Sequence, residues 1–177
     1  MRVLALSGSL RAASTNSALL RAAVRLAPAG MELRLWSGIG DLPMFNPDLE
    51  PRMPERVSVL YAQVATVDAL LIASPEYAHG VSGGMKNALD WLVGSEAFIN
   101  KPVAVLNASP RAQHADAALR ETLRTMSAVI VEAASISIPL LGSNLTDAGM
   151  VASASISGAI RGALAELQRA VLALQPG

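Results

Sequence analysis

Val3-Leu4-Ala5-Leu6, then Ser7-Gly8-Ser9-Leu10-Arg11-Ala12-Ala13-Ser14-Thr15-Asn16-Ser17, then Ala18-Leu19-Leu20-Arg21-Ala22-Ala23-Val24 is the stretch that decides the fold. An unbroken apolar run marks a strand covered on both faces, the kind found in parallel sheets. The apolar residues that follow recur at helical spacing. Between strand and helix, Ser9, Ser14, Thr15 and Ser17 supply hydroxyls, Asn16 an amide and Arg11 a permanent cation. Free backbone N–H groups and the helix dipole favour an anion at a helix start, and hydroxyls add donors. One capping residue would explain Ser14 or Asn16, but not the whole run beside an arginine. A single phosphate is the expected ligand. Neither Gly-x-x-x-x-Gly-Lys nor Gly-x-Gly-x-x-Gly occurs here, so a P-loop nucleotide and a Rossmann-held dinucleotide are not expected.

Outward from this stretch the pattern repeats. Strands are expected at Val3 to Ser7, Glu32 to Trp36, Ala69 to Ser74, Val103 to Asn107 and Val129 to Glu132. Helices are expected at Ser17 to Leu26, Glu55 to Ala65, Gly84 to Val93, Ala115 to Met126 and Ser157 to Leu174. Five β-α units of this kind predict an α/β fold: one domain over 1–177, a doubly wound five-stranded parallel sheet with helices on both faces. Ligands of such sheets sit beyond the carboxyl ends of the strands, so the loops after each strand carry the argument.

Bulk properties narrow the chemistry. With 52% hydrophobic residues the 177-residue chain can bury a core. Fourteen basic and fourteen acidic residues cancel, and aromatics are only 3%, which argues against nucleic-acid partners. Cysteine is absent, which excludes disulfides, thiolate nucleophiles and Cys-bound metals, and two histidines make no multi-His metal site. No apolar run is long enough for a membrane span, and no signal-peptide pattern precedes the first strand. A cytoplasmic protein is expected.

The loop after the second strand, Ser37 to Pro54, is long and carries Pro43, Pro47, Pro51 and Pro54. Its apolar Met44 and Phe45 are expected either to pack on their own domain or to meet a second subunit. After the third strand, Pro75-Glu76-Tyr77-Ala78-His79-Gly80-Val81-Ser82-Gly83-Gly84 offers a flat ring and close backbone approach, suited to lining a planar ligand. After the fourth, Asn107-Ala108-Ser109-Pro110-Arg111-Ala112-Gln113-His114 brings Ser109 and Arg111 to the same end of the sheet. His114 reads as an exposed helix-start residue, and Pro139 to Met150 as an irregular crossing.

Gly80-Val81-Ser82-Gly83-Gly84 also satisfies Gly-x-Ser-x-Gly, the nucleophile elbow of α/β-hydrolases. The elbow requires its serine on a sharp turn directly after the strand, whereas Pro75 to His79 intervene here. Asp90 and His114 are the available partners for Ser82, and no histidine follows His114. A Ser82 hydrolase is the weaker alternative.

Gly8-Ser9-Leu10-Arg11 with Ser14 and Asn16, then Pro75-Glu76-Tyr77 with Ser82-Gly83 and Lys86-Asn87-Ala88-Leu89-Asp90-Trp91, resembles the NADPH-dependent FMN reductase family. Asp41-Leu42-Pro43-Met44-Phe45-Asn46-Pro47-Asp48 is similar to that family's loop after the second strand. The resemblance implies the flavodoxin-like fold and bound FMN, with Ser9, Arg11, Asn16 and Ser17 around its phosphate. It implies Pro75, Glu76 and Tyr77 along the isoalloxazine, mainly through backbone groups, and Ser109 approaching the ring or ribityl chain. Ser14 and Ala78 complete the expected cofactor-binding set, and no side chain is expected to act as nucleophile or general acid. The implied reaction passes a hydride from NAD(P)H through FMN to a small acceptor: free flavin, a quinone, an azo compound or a metal oxyanion. Homodimers or homotetramers are implied as well. A flavin-binding electron carrier without NAD(P)H activity is the other reading, although the neutral chain lacks the acidic surface of long flavodoxins. Two departures stand out: many relatives have Asn where this chain has Ala78, and glycines where Arg111-Ala112-Gln113-His114 stand. Arg11, Arg34 and Arg111 are all candidates for contacting the 2′-phosphate of NADPH.

Overall fold

A computed structural model describes residues 1–140 and 142–174. Seven strands are present among them: β1 (Arg2–Ser7), β2 (Glu32–Trp36), β3 (Ala69–Ala73), β4 (Glu76–Tyr77), β5 (Gly80–Val81), β6 (Pro102–Val105) and β7 (Val129–Ile130). The helices are α1 (Thr15–Leu26), α2 (Glu55–Ala65), α3 (Gly83–Leu92), α4 (Gln113–Thr125), α5 (Asp147–Ala152) and α6 (Ala154–Leu174). Five strands form one parallel sheet in the order β2-β1-β3-β6-β7, while β4 and β5 make a small antiparallel hairpin. This is the flavodoxin-like arrangement, in which the order reverses beside the first strand.

Side chains alternate across a strand, so each central strand feeds two cores. Val3 and Ala5 of β1 and Ala69, Leu71 and Ala73 of β3 pack with Leu19, Leu20 and Ala23 of α1 and with Leu164 and Leu167 of α6. Leu4, Leu6, Leu70 and Ile72 face the other way, against Val57 and Leu60 of α2, Met85, Leu89 and Trp91 of α3, and Leu119 and Leu123 of α4. All residues of β3 and β6, and all of β1 but Arg2, are buried, which explains the unbroken apolar runs.

Three local differences from the sequence expectation have plain causes. Helix α1 starts at Thr15 rather than Ser17, because Ser14 is its cap and accepts from the Ser17 N–H at 3.1 Å. The last strand stops at Ile130, where a 3-10 turn over Glu132–Ala134 interrupts it. The edge then resumes beside Asn107, with Asn107 N–H donating to Ile136 O at 2.9 Å and Ile138 N–H to Asn107 O at 2.8 Å. Finally, the crossing expected to be irregular contains helix α5, capped by the Thr146 hydroxyl on Gly149 N–H; residue 141 of that crossing lies outside the described residues.

Candidate functional site

The carboxyl ends of β1, β3 and β6 carry three loops that meet at one end of the sheet. Residues 8–14, 74–82 and 106–112 are stitched to one another by specific bonds. The Gly8 N–H continues the sheet by donating to Ala73 O at 2.8 Å. Ser82, only 2% exposed, donates its hydroxyl to Gly8 O at 2.6 Å and lies 3.2 Å from the Ser74 hydroxyl. A Cβ on Gly8 would stand 2.8 Å from the Ser82 oxygen and closer still to that of Ser74, so only glycine fits. The same Ser82 oxygen accepts from Met85 N–H and caps α3. It is therefore a buried structural hydroxyl, and its Gly-x-Ser-x-Gly setting has no elbow geometry. Its nominated partners are elsewhere engaged: Asp90 pairs with Lys86, and the His114 ring meets His79 edge-on at 4.4 Å.

The third loop is tied to the fourth by Glu76, whose Oε2 accepts from Ala115 N–H at 2.9 Å in the first turn of α4. A carboxylate at a helix start satisfies an otherwise free donor and complements the dipole. Its other oxygen lies 3.6 Å from His79 Nδ1. Ala78 and His79 form the two-residue turn between β4 and β5, both with left-handed backbone (φ 49° and 59°). This is where a hairpin ordinarily takes Asn-Gly. The fourth loop is folded on itself. Asn107 Oδ1 accepts from Ser109 N–H at 2.9 Å, Asn107 Nδ2 donates to Ala112 O at 3.3 Å, and Ser109 Oγ accepts from Arg111 N–H at 3.3 Å.

Between these loops lies a cleft of about 360 Å³. The first loop lines it with Ser9, Arg11, Ser14, Thr15 and Asn16, the third with Ser74, Pro75, Glu76 and Tyr77, and the fourth with Asn107, Ala108, Ser109, Arg111 and Ala112. Eight residues expected from the sequence are brought together there: Ser9, Arg11, Ser14, Asn16, Pro75, Glu76, Tyr77 and Ser109. Two are not among its lining. Ser17 turns inward and shares a 2.7 Å hydrogen bond with Ser7, while Ala78 sits exposed at the tip of the hairpin. Ser74 and Asn107 line the cleft without having been singled out. Each is a polar residue closing an apolar strand, and that position was the available signal.

The second loop stands apart from the cleft and is clamped to α3. Asn87 accepts from Phe45 N–H at 2.7 Å and donates to Pro43 O at 3.0 Å, and Trp91 Nε1 donates to the same Pro43 O at 2.8 Å. The Phe45 ring meets Trp91 edge-on at 5.0 Å, so Phe45 packs on its own domain. Met44 beside it remains 79% exposed.

The sequence model of the NADPH-dependent FMN reductases matches residues 1–140. The chain belongs to that family. An NAD(P)H-dependent FMN reductase of Pseudomonas aeruginosa is 41% identical over 112 residues, covering 62% of this chain and 60% of that protein. A quinone reductase of Escherichia coli K12 is 36% identical over 113 residues, with 62% and 60% covered. The chain thus spans about three-fifths of the length of the curated relatives it matches. Among solved structures, FerB, a flavoenzyme NAD(P)H:(acceptor) oxidoreductase of Paracoccus denitrificans, superposes with a TM-score of 0.74 at 29% identity, covering 95% of this chain and 97% of that one.

The residues present fit the cofactor that gives the FMN reductase family its name. Asn16 is 9% exposed and lines the cleft, where its amide Nδ2 is the group able to donate to a phosphate. Arg11 is in no ion pair among the described residues. The Ser14 oxygen accepts from the helix while its own O–H stays available to donate. An unpaired guanidinium, spare hydroxyls and a helix start in one wall are what a phosphate monoester requires.

Proposed function

We propose that this chain binds FMN in the cleft and acts as an NAD(P)H-dependent reductase of small acceptors such as quinones, free flavin, azo compounds or metal oxyanions. The observation that carries this reading is one wall built for a phosphate facing two loops able to flank a planar ring. Bound FMN would supply the hydride chemistry, accepting from reduced nicotinamide and giving to the acceptor.

The protein's own share is to bind and orient. Arg11 takes the phosphate charge, with Ser9, Ser14, Thr15 and Asn16 adding hydrogen bonds. Ser17 contributes from behind, holding Ser7, whose Oγ accepts from Ser9 N–H at 3.3 Å. Pro75, Glu76 and Tyr77 border the isoalloxazine, and backbone donors of that loop favour the negative charge a reduced flavin carries. Ala78 acts through the shape of the hairpin, and Ser109 closes the opposite side. No side chain is needed as nucleophile, which suits a chain without cysteine. The whole of 1–177 is taken as one flavin-binding unit working in the cytoplasm as a homodimer or homotetramer. The exposed Met44, beside a loop fixed rigidly to α3, supports a contact between subunits there.

The test is anaerobic addition of NADPH, and separately NADH, to protein loaded with FMN, followed by a quinone. Bleaching of the flavin absorbance and its recovery on adding quinone is the expected result. Flavin that binds but stays oxidised would make the chain a flavin carrier instead.

A further inference from the structure

Arg111 lines more than the FMN cleft. A second recess of about 390 Å³ lies against the outer side of the fourth loop, bounded by Ser109, Pro110, Arg111, Pro139 and Gly142. Ser109 and Arg111 border both spaces, so the cleft and the recess meet along this turn. The turn holds Arg111 in place by local bonds, Arg111 N–H to Ser109 Oγ and Ala112 N–H to Ser109 O at 3.0 Å. Its guanidinium is exposed and meets no carboxylate among the described residues.

Two arginines without carboxylate partners among the described residues therefore border adjoining spaces, while FMN brings a single phosphate. Arg11, on the α1 side with the hydroxyls, suffices for that one. Resting on the reading of the cleft as an FMN reductase site, we infer that the recess receives the adenosine end of the reduced nicotinamide dinucleotide and that Arg111 binds its 2′-phosphate. The protein accordingly prefers NADPH to NADH. A guanidinium presents forked donors that match a phosphate monoester, and it never loses its charge. Recognition of the unphosphorylated ribose ordinarily uses a carboxylate that accepts from the 2′-hydroxyl. The described lining of the recess contains none. Pro110 and Pro139 supply apolar surface for the base.

The test has two arms. Steady-state kinetics of FMN-loaded wild type, Arg111→Ala and Arg111→Lys give the ratio of kcat/KM for NADPH to that for NADH. The wild-type ratio is expected above one. It should fall about tenfold or more in Arg111→Ala, the size expected for one charge-assisted contact, and recover in part with lysine. Titration of flavin-free protein with adenosine 2′,5′-bisphosphate and with 5′-AMP gives the second arm. The bisphosphate should bind more tightly, and lose that advantage in Arg111→Ala. An unchanged ratio, or equal loss with both dinucleotides, overturns the inference. Failure of FMN to bind would sink the reductase reading, while the bisphosphate titration would still decide whether Arg111 reads a 2′-phosphate.

Discussion

The first and fourth loops face each other across one cleft and are built in opposite ways. In the first, Ser7, Ser9, Ser14 and Asn16 are buried, and the loop is fixed from outside itself: Gly8 to β3, Ser82 to Gly8, Ser7 to Ser17. In the fourth, backbone bonds tie Asn107 and Ala108 to residues 136–140, but Pro110 and Arg111 are exposed, and the side-chain bonds of Asn107 and Ser109 run within residues 107–112. A loop anchored to other elements opens only when they open, whereas a turn bonded locally, as residues 109–112 are, opens at lower free energy. The first suits a permanently held group. The second suits an exchanging substrate.

The harshest way to break this contrast is Gly8→Val. Its side chain would enter space already filled by the Ser74 and Ser82 hydroxyls. Overpacking of this kind costs about 1–3 kcal/mol or more, and here it would also part the first loop from the third. Loss of FMN binding together with a lowered Tm is expected from flavin titration and thermal melting. A stable variant with full FMN affinity would show that the first loop does not depend on its anchors.

Arg11→Ala is milder. It removes a contact worth about 1.5–3 kcal/mol, and so should weaken FMN binding about tenfold to a hundredfold with little change in Tm. The equivalent change at Arg111 should affect FMN less, which is the contrast stated as a pair of binding constants. Smallest is Ala78→Gly at the hairpin tip. Alanine at φ 49° is strained, and glycine relieves a cost on the order of 1 kcal/mol. A rise in Tm of a few degrees with no change in FMN affinity is expected; a fall would mean that the turn is not under strain.

Much of this was legible in the chain itself. The bounds of β2 and α2 match the sequence reading residue for residue, because the alternation around Leu33 and Leu35 stops at Ser37 and the helical period begins after Pro54 and stops at Thr66. The phosphate wall was legible for another reason: a run of hydroxyls beside an arginine exceeds what one helix cap needs. Helix α5 was not legible. Six residues with Gly149 inside form no periodic pattern, and the helix is held by the Thr146 cap and by Arg25 pairing with Asp147 from α1. The β4–β5 hairpin was hidden because Ala78-His79 replaces the usual turn residues. Ser74 and Asn107 were passed over since a polar residue at a strand end reads as the end of burial, and only the packed loops bring them to the cleft. The Gly-x-Ser-x-Gly pattern is the converse, a motif in sequence whose serine turns out to be a buried cap.

Titrating flavin-stripped protein with FMN and with riboflavin tests most directly whether the first loop is a phosphate site. The two ligands share the ring and ribityl chain and differ by the phosphate alone. Saturable quenching at one FMN per chain, with riboflavin bound at least tenfold more weakly, is the predicted result. Equal affinity for the two, or no saturation with FMN, would contradict it.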